Sequence, residues 1–319
     1  MNNPLLQVRD LRTYFYTDEG VTKAVDGISF ALFAGKVLGL IGESGCGKSV
    51  TALSIVNLVP KPGRIVGGSV TFRRKELLAL SPRLMRNVRG TEISMIFQDP
   101  FSSLDPVFTV GCQVEEAFRE RPSARSKARR KTRAVELLRS VEIRDAERVY
   151  RSYPHTLSGG LRQRAMLAIA LANDPSVLIA DEPTTALDVT VQKEILELLG
   201  RIRRERGMAV LLITHNFGII AALADHVAVM YAGLIVEYAE AGSIFTDPLH
   251  PYTRGLMDAV PRPGKRPLPG MTRRAAASGS WSCPFYPRCA DREKRCVEAY
   301  PPFTEERPAH FCACWRNRR

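Results

Sequence analysis

The sequence predicts an α/β fold with three additions: an antiparallel β subdomain near the N-terminus, a helical subdomain in the middle and a small cysteine-rich C-terminal extension. Three observations carry this prediction: apolar strand runs that end in polar loops, a basic stretch of helical pattern at about residues 100–160, and clustered cysteines after residue 261. With 319 residues, 45% of them hydrophobic, the chain is long enough to bury a full core. We expect one main domain at 1–260, then a linker and the cysteine-rich module at 261–319.

Strands and helices can be assigned in order along the sequence. The first two segments, LLQVRDLRTYFYT and KAVDGISFALFAG, alternate apolar and polar residues, which is typical of short strands joined by turns. A buried strand, a glycine-rich loop and a helix follow in KVLGLIGESGCGKSVTALSIVNLV. Two further buried strands are predicted in SVLIAD from Ser176 and in MAVLLIT from Met208. The basic stretch before them therefore reads as a helical insertion in an α/β core.

Composition and charge limit the class of protein. The longest apolar runs, such as AVLLI at 209–213, are far shorter than the roughly 18 to 20 residues that cross a bilayer. The N-terminus lacks the pattern of a secretory signal, so we expect a cytosolic chain with reduced thiols. The net charge is +13, and residues 262–319 contribute +8 of it, from 13 Lys or Arg against 5 Asp or Glu. This excess suits nucleic acid, anionic lipid or simply a solvated surface.

Residues 42–49, GESGCGKS, have the spacing of a phosphate-binding loop between a strand and a helix. Glycines let backbone N–H groups curl around phosphates, a lysine supplies a mobile positive charge, and a serine hydroxyl ligates Mg²⁺. Lys48 and Ser49 stand at the positions for the last two roles. The sequence therefore predicts that a nucleotide binds here.

Polar residues also follow two other predicted strands. In SVLIADEP, Asp181 is placed to join the Mg²⁺ shell and Glu182 to orient and polarise a water for attack on the γ-phosphate. An acidic pair at a strand end also serves as a helix N-cap.

His215 follows the strand in LLITHN. A lone histidine is usually structural, but one at this position is suited to bond the γ-phosphate and hold the attacking water. We therefore expect hydrolysis as well as binding.

A second glycine motif, LSGGLRQRA, occupies residues 157–165. A serine and two glycines precede a helix predicted at 161–171, and they present a hydroxyl, backbone N–H groups and a positive helix end, all suited to a phosphate. The chain's own phosphates are already enclosed by residues 42–49. A simple capped helix is the alternative interpretation.

Together these motifs resemble a known family. The phosphate loop, then MIFQDP, LSGGLRQRA, LIADEPTTALD and ITHN, is the ordered set carried by the nucleotide-binding subunits of ATP-binding cassette transporters, over residues 5–260. The segments RGTEISMIFQDPFSSLDPVFTVG and HPYTRGLMDAVP, with the cysteine-rich tail, are similar to the oligopeptide, dipeptide and nickel importer branch. The resemblance implies a P-loop NTPase with a RecA-like core that hydrolyses ATP to power peptide import.

The resemblance also implies roles for individual residues. Phe15, helped by Tyr14 or Tyr16, would stack on the adenine, and Gln98 would touch both the metal and the attacking water. The nucleotide-binding residues implied are Phe15, Gly42, Glu43, Ser44, Gly45, Cys46, Gly47, Lys48, Ser49, Val50, Gln98, Ser158, Gly159, Gly160, Asp188 and His215. The Mg²⁺ ligands implied are Ser49, Gln98 and Asp181, and the catalytic residues are Glu182, His215 and Gln98.

Partners follow from the same resemblance. Two cassettes of this family pack head to tail, so that residues 158–160 of one close over the ATP of the other and Asp188 lies at the interface. The resemblance implies a related, non-identical second cassette, two transmembrane permease subunits that contact the helical segment, and an extracytoplasmic substrate-binding protein. The chain would lie peripherally on the cytoplasmic face of the membrane and bind no nucleic acid.

Some features leave room for another interpretation. A soluble cassette ATPase acting on nucleic acid or ribosomes is the alternative that the +13 charge favours, although such proteins often carry two motif sets and this chain has one. Two positions depart from the family pattern: Asn216 stands where an acidic residue commonly follows the histidine, and FRRKELL at 72–78 lacks an expected glycine.

Five of the seven cysteines lie in the tail, which predicts a metal site or a packed thiol cluster. Disulfides are not expected in a reducing compartment. Spread along an irregular loop, Cys283, Cys289, Cys296 and Cys314 are suited to a 4Fe–4S cluster, which needs four thiolates. Zinc, with His310 as a further ligand, and metal-free packing are the alternatives. The family resemblance leaves Cys312 as the extra cysteine.

Overall fold

The computed structural model describes residues 3–98, 103–118, 126–185, 187–259 and 282–318. The chain divides into two compact units, the first formed by Met1–Leu5, Leu32–Lys36 and Ala79–Leu212, the second by Leu6–Ala31, Val37–Leu78 and Ile213–Arg319. The start of the predicted linker, at residue 261, lies outside the described residues. Within the described ranges, none of the helices combines the length and the apolar character needed to cross a bilayer.

The second unit contains the predicted antiparallel β subdomain. Its strands are β1 (Leu6–Thr17), β2 (Gly20–Leu32), β4 (Gly63–Phe72) and β5 (Lys75–Glu76). They lie in the order β2-β1-β4-β5. Strand β1 buries Leu6 and Val8 and then, beyond an irregularity in its pairing with β4, Leu11 and Thr13, as a sheet with one face on the core requires. Residues 72–78 lack the glycine that the family pattern has there. In the turn between β4 and β5, Arg73 and Arg74 adopt the left-handed conformation instead, with φ of 46° and 68°.

The same unit holds a second group of strands that carries the phosphate loop. These are β3 (Val37–Ile41), β9 (His226–Tyr231), β10 (Leu234–Glu240), β11 (Thr304–Arg307) and β12 (His310–Cys312). Their order is β11-β12-β10-β9-β3. Strands β3 and β9 pair in parallel, whereas β10 runs antiparallel to both β9 and β12. The cysteine-rich tail therefore adds its strands directly to this sheet.

The described residues of the second unit form five α-helices. They are α1 (Lys48–Ile55), α8 (Phe217–Leu223), α9 (Ala241–Thr246), α10 (Pro251–Asp258) and α11 (Arg295–Glu298). A glycine in β3 lets α8 approach closely, because a Cβ at Gly39 would lie 2.6 Å from Cδ1 of Ile220. All five residues of β3 are buried, which accounts for the unbroken apolar run VLGLI.

The first unit contains the predicted helical subdomain and the strands that carry the acidic pair. Its strands are β6 (Ile93–Ile96), β7 (Val177–Asp181) and most of β8 (Ala209–Thr214), in the order β8-β7-β6. Its helices are α2 (Pro82–Val88), α3 (Val110–Glu116), α4 (Lys127–Ser140), α5 (Ala146–Arg151), α6 (Gly159–Ala170) and α7 (Val189–Arg206). The described parts of residues 100–160 are thus mainly helical, as predicted.

Side-chain caps fix where most of these helices begin. Eight of the described helices start after a residue whose side chain accepts a hydrogen bond from a backbone N–H of the first turn. These residues are Ser81, Thr109, Ser126, Asp145, Ser158, Asp188, Asn216 and His250. The predicted fold class is confirmed.

Candidate active site

The phosphate loop occupies residues 42–49 in the second unit, between β3 and α1. Two of its glycines are required by close approach: a Cβ at Gly42 would collide with the carbonyl oxygen of Met230, and one at Gly47 would collide with that of Ala24. Gly47 is also the N-cap of α1, with φ of 110° and no side chain to cap the helix. The N–H groups of the first turn are therefore available to a phosphate.

Lys48 is held inside the loop by the backbone. Its Nζ donates hydrogen bonds to the carbonyl oxygens of Gly42 and Glu43, each at 2.9 Å, and the residue is only 5% exposed. Burial raises the pKa of the neighbouring Cys46 thiol, so this cysteine is a neutral space-filling group in the loop. The loop thus presents one ammonium group that is held by two backbone carbonyl oxygens.

Glu43, the second residue of the loop, is held by residues that the sequence did not single out. Its N–H donates to the hydroxyl oxygen of Tyr252 at 2.9 Å. Its carboxylate accepts two hydrogen bonds from Arg288, at 2.8 Å and 2.7 Å. The hydrogen bonds to Glu43 raise the pKa of the Arg288 guanidinium. The only sequence signal for either residue was its position inside HPYTRG or CPFYPRC.

The carboxylates of the acidic pair lie in the first unit. Asp181 is the last residue of β7 and is 3% exposed, while Glu182 is 8% exposed and has φ of 48°. Glu182 Oε2 accepts a hydrogen bond from Gln98 Nε2 at 3.0 Å and another from Thr185 Oγ1 at 2.9 Å. A buried carboxylate fixed by two donors on a left-handed backbone is typical of a strained functional position.

The second glycine motif forms the start of α6. Ser158 is the N-cap, with its side-chain oxygen accepting from the N–H of Leu161 at 3.4 Å, so the helix begins two residues earlier than the predicted 161. A Cβ at Gly160 would lie 2.8 Å from Cγ1 of Val191. The glycine therefore allows α6 to pack closely on α7, and Ser158 itself is exposed.

Asp188 caps α7, which lies beside this motif. Its Oδ1 accepts hydrogen bonds from the N–H groups of Thr190 and Val191, at 3.1 Å and 3.0 Å. The next residue, Val189, is 81% exposed. Asp188 itself is also exposed, so the start of α7 lies at the surface of the first unit.

His215 and Phe15 lie in the second unit. His215 follows β8 directly and is exposed. Asn216, the departure from the family pattern, caps α8 by accepting from the N–H of Gly218 at 2.9 Å. An asparagine fills this role as well as an aspartate does. The Phe15 ring is half-buried over Gly63, whose Cβ would lie 2.7 Å from it, while Tyr16 is 45% exposed.

Four of the tail cysteines surround one cavity. Its lining includes Cys283, Cys289, Cys296 and Cys314. Burial raises the pKa of Cys289 to about 11, and the nearby thiols of Cys283 and Cys314 add to this. All four are free thiols. Among the described residues, however, no group of three or more His, Cys, Asp or Glu side chains is arranged to hold a metal ion.

Cys312 and His310 have other roles in the structure. Cys312 is buried in β12, where its Sγ accepts from Asn317 Nδ2 at 3.3 Å. His310 Nε2 donates to Glu237 Oε1 at 2.7 Å. Burial alone would raise the pKa of Glu237, but the hydrogen bonds from His310 and from the N–H groups of Leu249 and His250 hold it below its usual value. Neither Cys312 nor His310 lines the cysteine cavity.

Comparison with protein families finds two matches along the chain. The profile described as ABC transporter matches residues 25–185. The profile described as oligopeptide/dipeptide transporter, C-terminal region, matches residues 236–296. The ABC transporter profile covers the phosphate loop, the motif at 157–165 and the acidic pair. The C-terminal-region profile covers most of β10 and three of the four cavity cysteines.

Curated relatives align along nearly the whole chain. The probable peptide ABC transporter ATP-binding protein y4tR of Sinorhizobium fredii is 50% identical over 98% of this chain and 95% of its own. The dipeptide transport ATP-binding protein DppD of Bacillus subtilis and the oligopeptide transport ATP-binding protein OppD of Salmonella typhimurium are each 44% identical. Each of these two matches covers 98% of this chain and 94% of the relative.

Solved structures support the same conclusion. The ATP-binding cassette MJ0796, in a dimeric post-hydrolysis state bound to ADP and Pi, has a TM-score of 0.67 and 26% identity, covering 74% of this chain and 98% of that one. The protein cbiO1 from Clostridium perfringens, part of the ABC transporter complex cbiONQ, has a TM-score of 0.65 and 26% identity, covering 77% and 92%. Fold and site thus define a cassette-type ATPase. The chain belongs to the ABC transporter family, among its peptide-transporter ATP-binding proteins.

Proposed function

We propose that this chain binds and hydrolyses ATP to power the import of peptides through a membrane ABC transporter. The observation that carries the proposal is the extent of the similarity: it runs through the cassette and through the C-terminal region, and the relatives are named as peptide, dipeptide and oligopeptide transport ATP-binding proteins. In this proposal residues 1–260 form the cassette and 261–319 its extension.

The phosphate loop receives the triphosphate, and Phe15 stacks on the adenine. Lys48 balances the phosphate charge from its fixed position in the loop. The serine hydroxyl of Ser49, the amide oxygen of Gln98 and the carboxylate of Asp181 are oxygen donors of the kind Mg²⁺ prefers. When bound, Mg²⁺ neutralises negative charge that develops on the transferred phosphoryl group.

Glu182 accepts the proton of the attacking water and orients that water for in-line attack. The hydrogen bonds from Gln98 and Thr185 support this role, because they fix one carboxylate oxygen and restrict rotation of the other. His215 donates to the γ-phosphate. Gln98 links the water to the helical segment that follows it in the chain, so that the nucleotide state is transmitted to that segment.

We propose a second, related but non-identical cassette as the partner at the start of α6. Ser158 and the N–H groups of Gly159 and Gly160 contact the γ-phosphate held by the partner, and Asp188 lies in the interface. The exposure of Ser158 and Asp188 supports this assignment, and Gly160 packs on Val191, close to the cap of α7. ATP then forms part of the interface between two chains, and its hydrolysis weakens that interface.

The helical segment at about 100–160 is proposed to receive a transmembrane partner. Two permease subunits and an extracytoplasmic substrate-binding protein complete the importer, and this chain lies on the cytoplasmic face of the membrane. ATP binding rotates the segment and moves the permeases with it, a rigid-body change driven by contacts made only in the closed state.

A copurification followed by a transport assay tests this function. The tagged chain is isolated from detergent-solubilised membranes of its own host and the partners are identified by mass spectrometry. The complex is then placed in proteoliposomes with binding protein and peptide. We expect two permeases to copurify and peptide to stimulate ATP hydrolysis. Copurification with ribosomes or nucleic acid, without permeases, would overturn the proposal.

We also propose that the cysteine cavity holds a 4Fe–4S cluster, with zinc as the alternative. The donor set supports this assignment in kind, because four free thiols line one cavity. The bound group would cross-link the loops of a small module that has little apolar sequence of its own.

The test is iron and zinc analysis with visible spectroscopy on anaerobically purified protein. Cys289→Ser should lose the metal, whereas Cys112→Ser, at an exposed thiol of α3, should keep it. Metal-free wild-type protein would contradict the assignment.

A further inference from the structure

Glu43 places a negative charge in the loop that is proposed to bind polyphosphate. A carboxylate there carries the same sign of charge as the ligand, and like charges at a short distance oppose binding. Its side chain is 34% exposed, so solvent screens it only in part. Some other group has to offset this charge if the loop is to hold a triphosphate.

Arg288 supplies that group in a geometry of high specificity. Both of its terminal nitrogens donate to Glu43, one to each carboxylate oxygen, at 2.8 Å and 2.7 Å. Such a bidentate pair is among the stronger polar contacts in proteins. The Arg288 side chain is 9% exposed. Water therefore competes weakly for these hydrogen bonds.

The guanidinium is fixed from behind by aromatic rings. Its central carbon lies 5.7 Å from the ring centre of Tyr231 and 5.8 Å from that of Phe285. Tyr231 in turn packs on Tyr252 at 4.7 Å between ring centres. The hydroxyl of Tyr252 accepts the N–H of Glu43. The same cluster thus holds the backbone and the side chain of one loop residue.

Glu43 also contacts the lysine of the loop, so the contacts that hold Glu43 in place help to hold Lys48. Its carbonyl oxygen accepts a hydrogen bond from Lys48 Nζ at 2.9 Å. Arg288 is the last residue of the short 3-10 helix Tyr286–Arg288, and Cys283 and Cys289 lie on either side of that helix. A continuous set of contacts therefore runs from the cysteine-rich tail to the ammonium group of the phosphate loop.

We propose that Arg288 is a positioning residue for nucleotide binding: it neutralises the Glu43 carboxylate and holds the phosphate loop, making the cysteine-rich tail part of the ATP site. The proposal rests on the ATP-binding function proposed above. It assigns to the tail a role in nucleotide affinity that is separate from any contact with a permease.

Equilibrium binding of Mg·ADP and Mg·ATP to the full chain tests the proposal. We expect Arg288→Ala to raise both dissociation constants about tenfold, as loss of one charge-assisted contact predicts. Arg288→Lys keeps the positive charge but cannot make the bidentate pair, so its dissociation constants should lie between those of the wild type and of Arg288→Ala. Arg316→Ala is the matched control, because Arg316 pairs with Asp291 within the same tail. It should bind like the wild type.

The double variant Arg288→Ala/Glu43→Gln distinguishes the charge effect from general damage. Removing the carboxylate should restore affinity to within about threefold of the wild type, since no uncompensated charge then remains. Wild-type affinity in Arg288→Ala would overturn the proposal, and so would a double variant as weak as the single one. If Arg288→Ala does not fold, wild-type affinity in a folded Arg288→Lys would overturn it. Failure of the wild type to bind nucleotide would instead contradict the proposed function.

Discussion

Gln98 Nε2 donates a hydrogen bond to Glu182 Oε2 across 3.0 Å, although the two residues are 84 positions apart. Parallel pairing brings them together, because β6 and β7 lie side by side and each residue follows the C-terminal end of its strand. The contact joins the acidic pair to the chain that enters the helical segment.

The first prediction concerns the Glu182 carboxylate. Glu182→Gln keeps the size of the side chain but removes the carboxylate that we propose as the base, so we expect ATP turnover to fall by at least about 100-fold while ATP still binds. Thr185→Val, which removes only one donor to the same carboxylate, should cost less. Steady-state hydrolysis and equilibrium ATP binding measure the two effects. Near-normal turnover in Glu182→Gln would show that another group is the base.

The second prediction concerns packing at Gly160. A methyl group there meets Val191 at 2.8 Å, so Gly160→Ala should lower the free energy of unfolding by about 1 to 3 kcal/mol. Val191→Ala in the same chain should recover most of that loss. Gly242→Ala in α9 is the control, because nothing lies within 4 Å of its Cβ. Chemical denaturation measures all four proteins, and an unchanged midpoint for Gly160→Ala would disprove the packing argument.

The third prediction is a pH dependence that arises at His250. Burial lowers the pKa of His250 from its usual 6.5 to about 4, with Arg254 acting in the same direction and Glu237 opposing it. Between these pH values the unfolded chain binds a proton that the folded chain does not. The free energy of unfolding should therefore fall as the pH drops from 6.5 to 4, by up to about 3 kcal/mol from this group.

His250→Asn tests that dependence, because asparagine also caps a helix but does not titrate. Its loss of stability between pH 7 and pH 5 should be smaller than that of the wild type. His155→Asn changes an exposed histidine and should leave the wild-type slope in place. Equal slopes in all three proteins would rule out His250 as the source.

The fourth prediction concerns the turn between β4 and β5. Arg74 has φ of 68°, a left-handed conformation that glycine adopts without strain. Arg74→Gly should therefore raise the free energy of unfolding by about 0.5 to 1 kcal/mol. The same change within α2, Arg86→Gly in its last turn, should lower it by a similar amount. Thermal melts of both variants give the comparison, and a destabilised Arg74→Gly would contradict it.

The sequence was most informative where function and local structure coincide. The phosphate loop, the strand that ends at Asp181 and the helix that follows Ser158 are each encoded within about ten residues, so glycine spacing and apolar runs were enough to predict them. A helix cap explains one small error, because capping by Ser158 starts α6 two residues before the predicted 161. Asn216, which departs from the family pattern, is itself a helix cap.

Contacts between distant segments were beyond prediction from sequence. Arg288 and Glu43 are 245 positions apart, and no periodicity links them. The antiparallel pairing of β12 with β10 was likewise missed, since the tail has too few apolar residues to read as strands. The four cysteines were predicted as a set, but only the fold shows that they line one cavity. It also shows that Cys312 and His310 bond Asn317 and Glu237 instead.

The buried carboxylate of Glu237 has a consequence for any shortened form of the protein. It lies on β10, is fully buried, and is bonded by His310 from the tail. Without residues 304–312 it would lose this partner, and β10 would become an edge strand with unpaired N–H and C=O groups. Proteolytic removal of the tail should therefore yield a cassette that self-associates through this strand and precipitates.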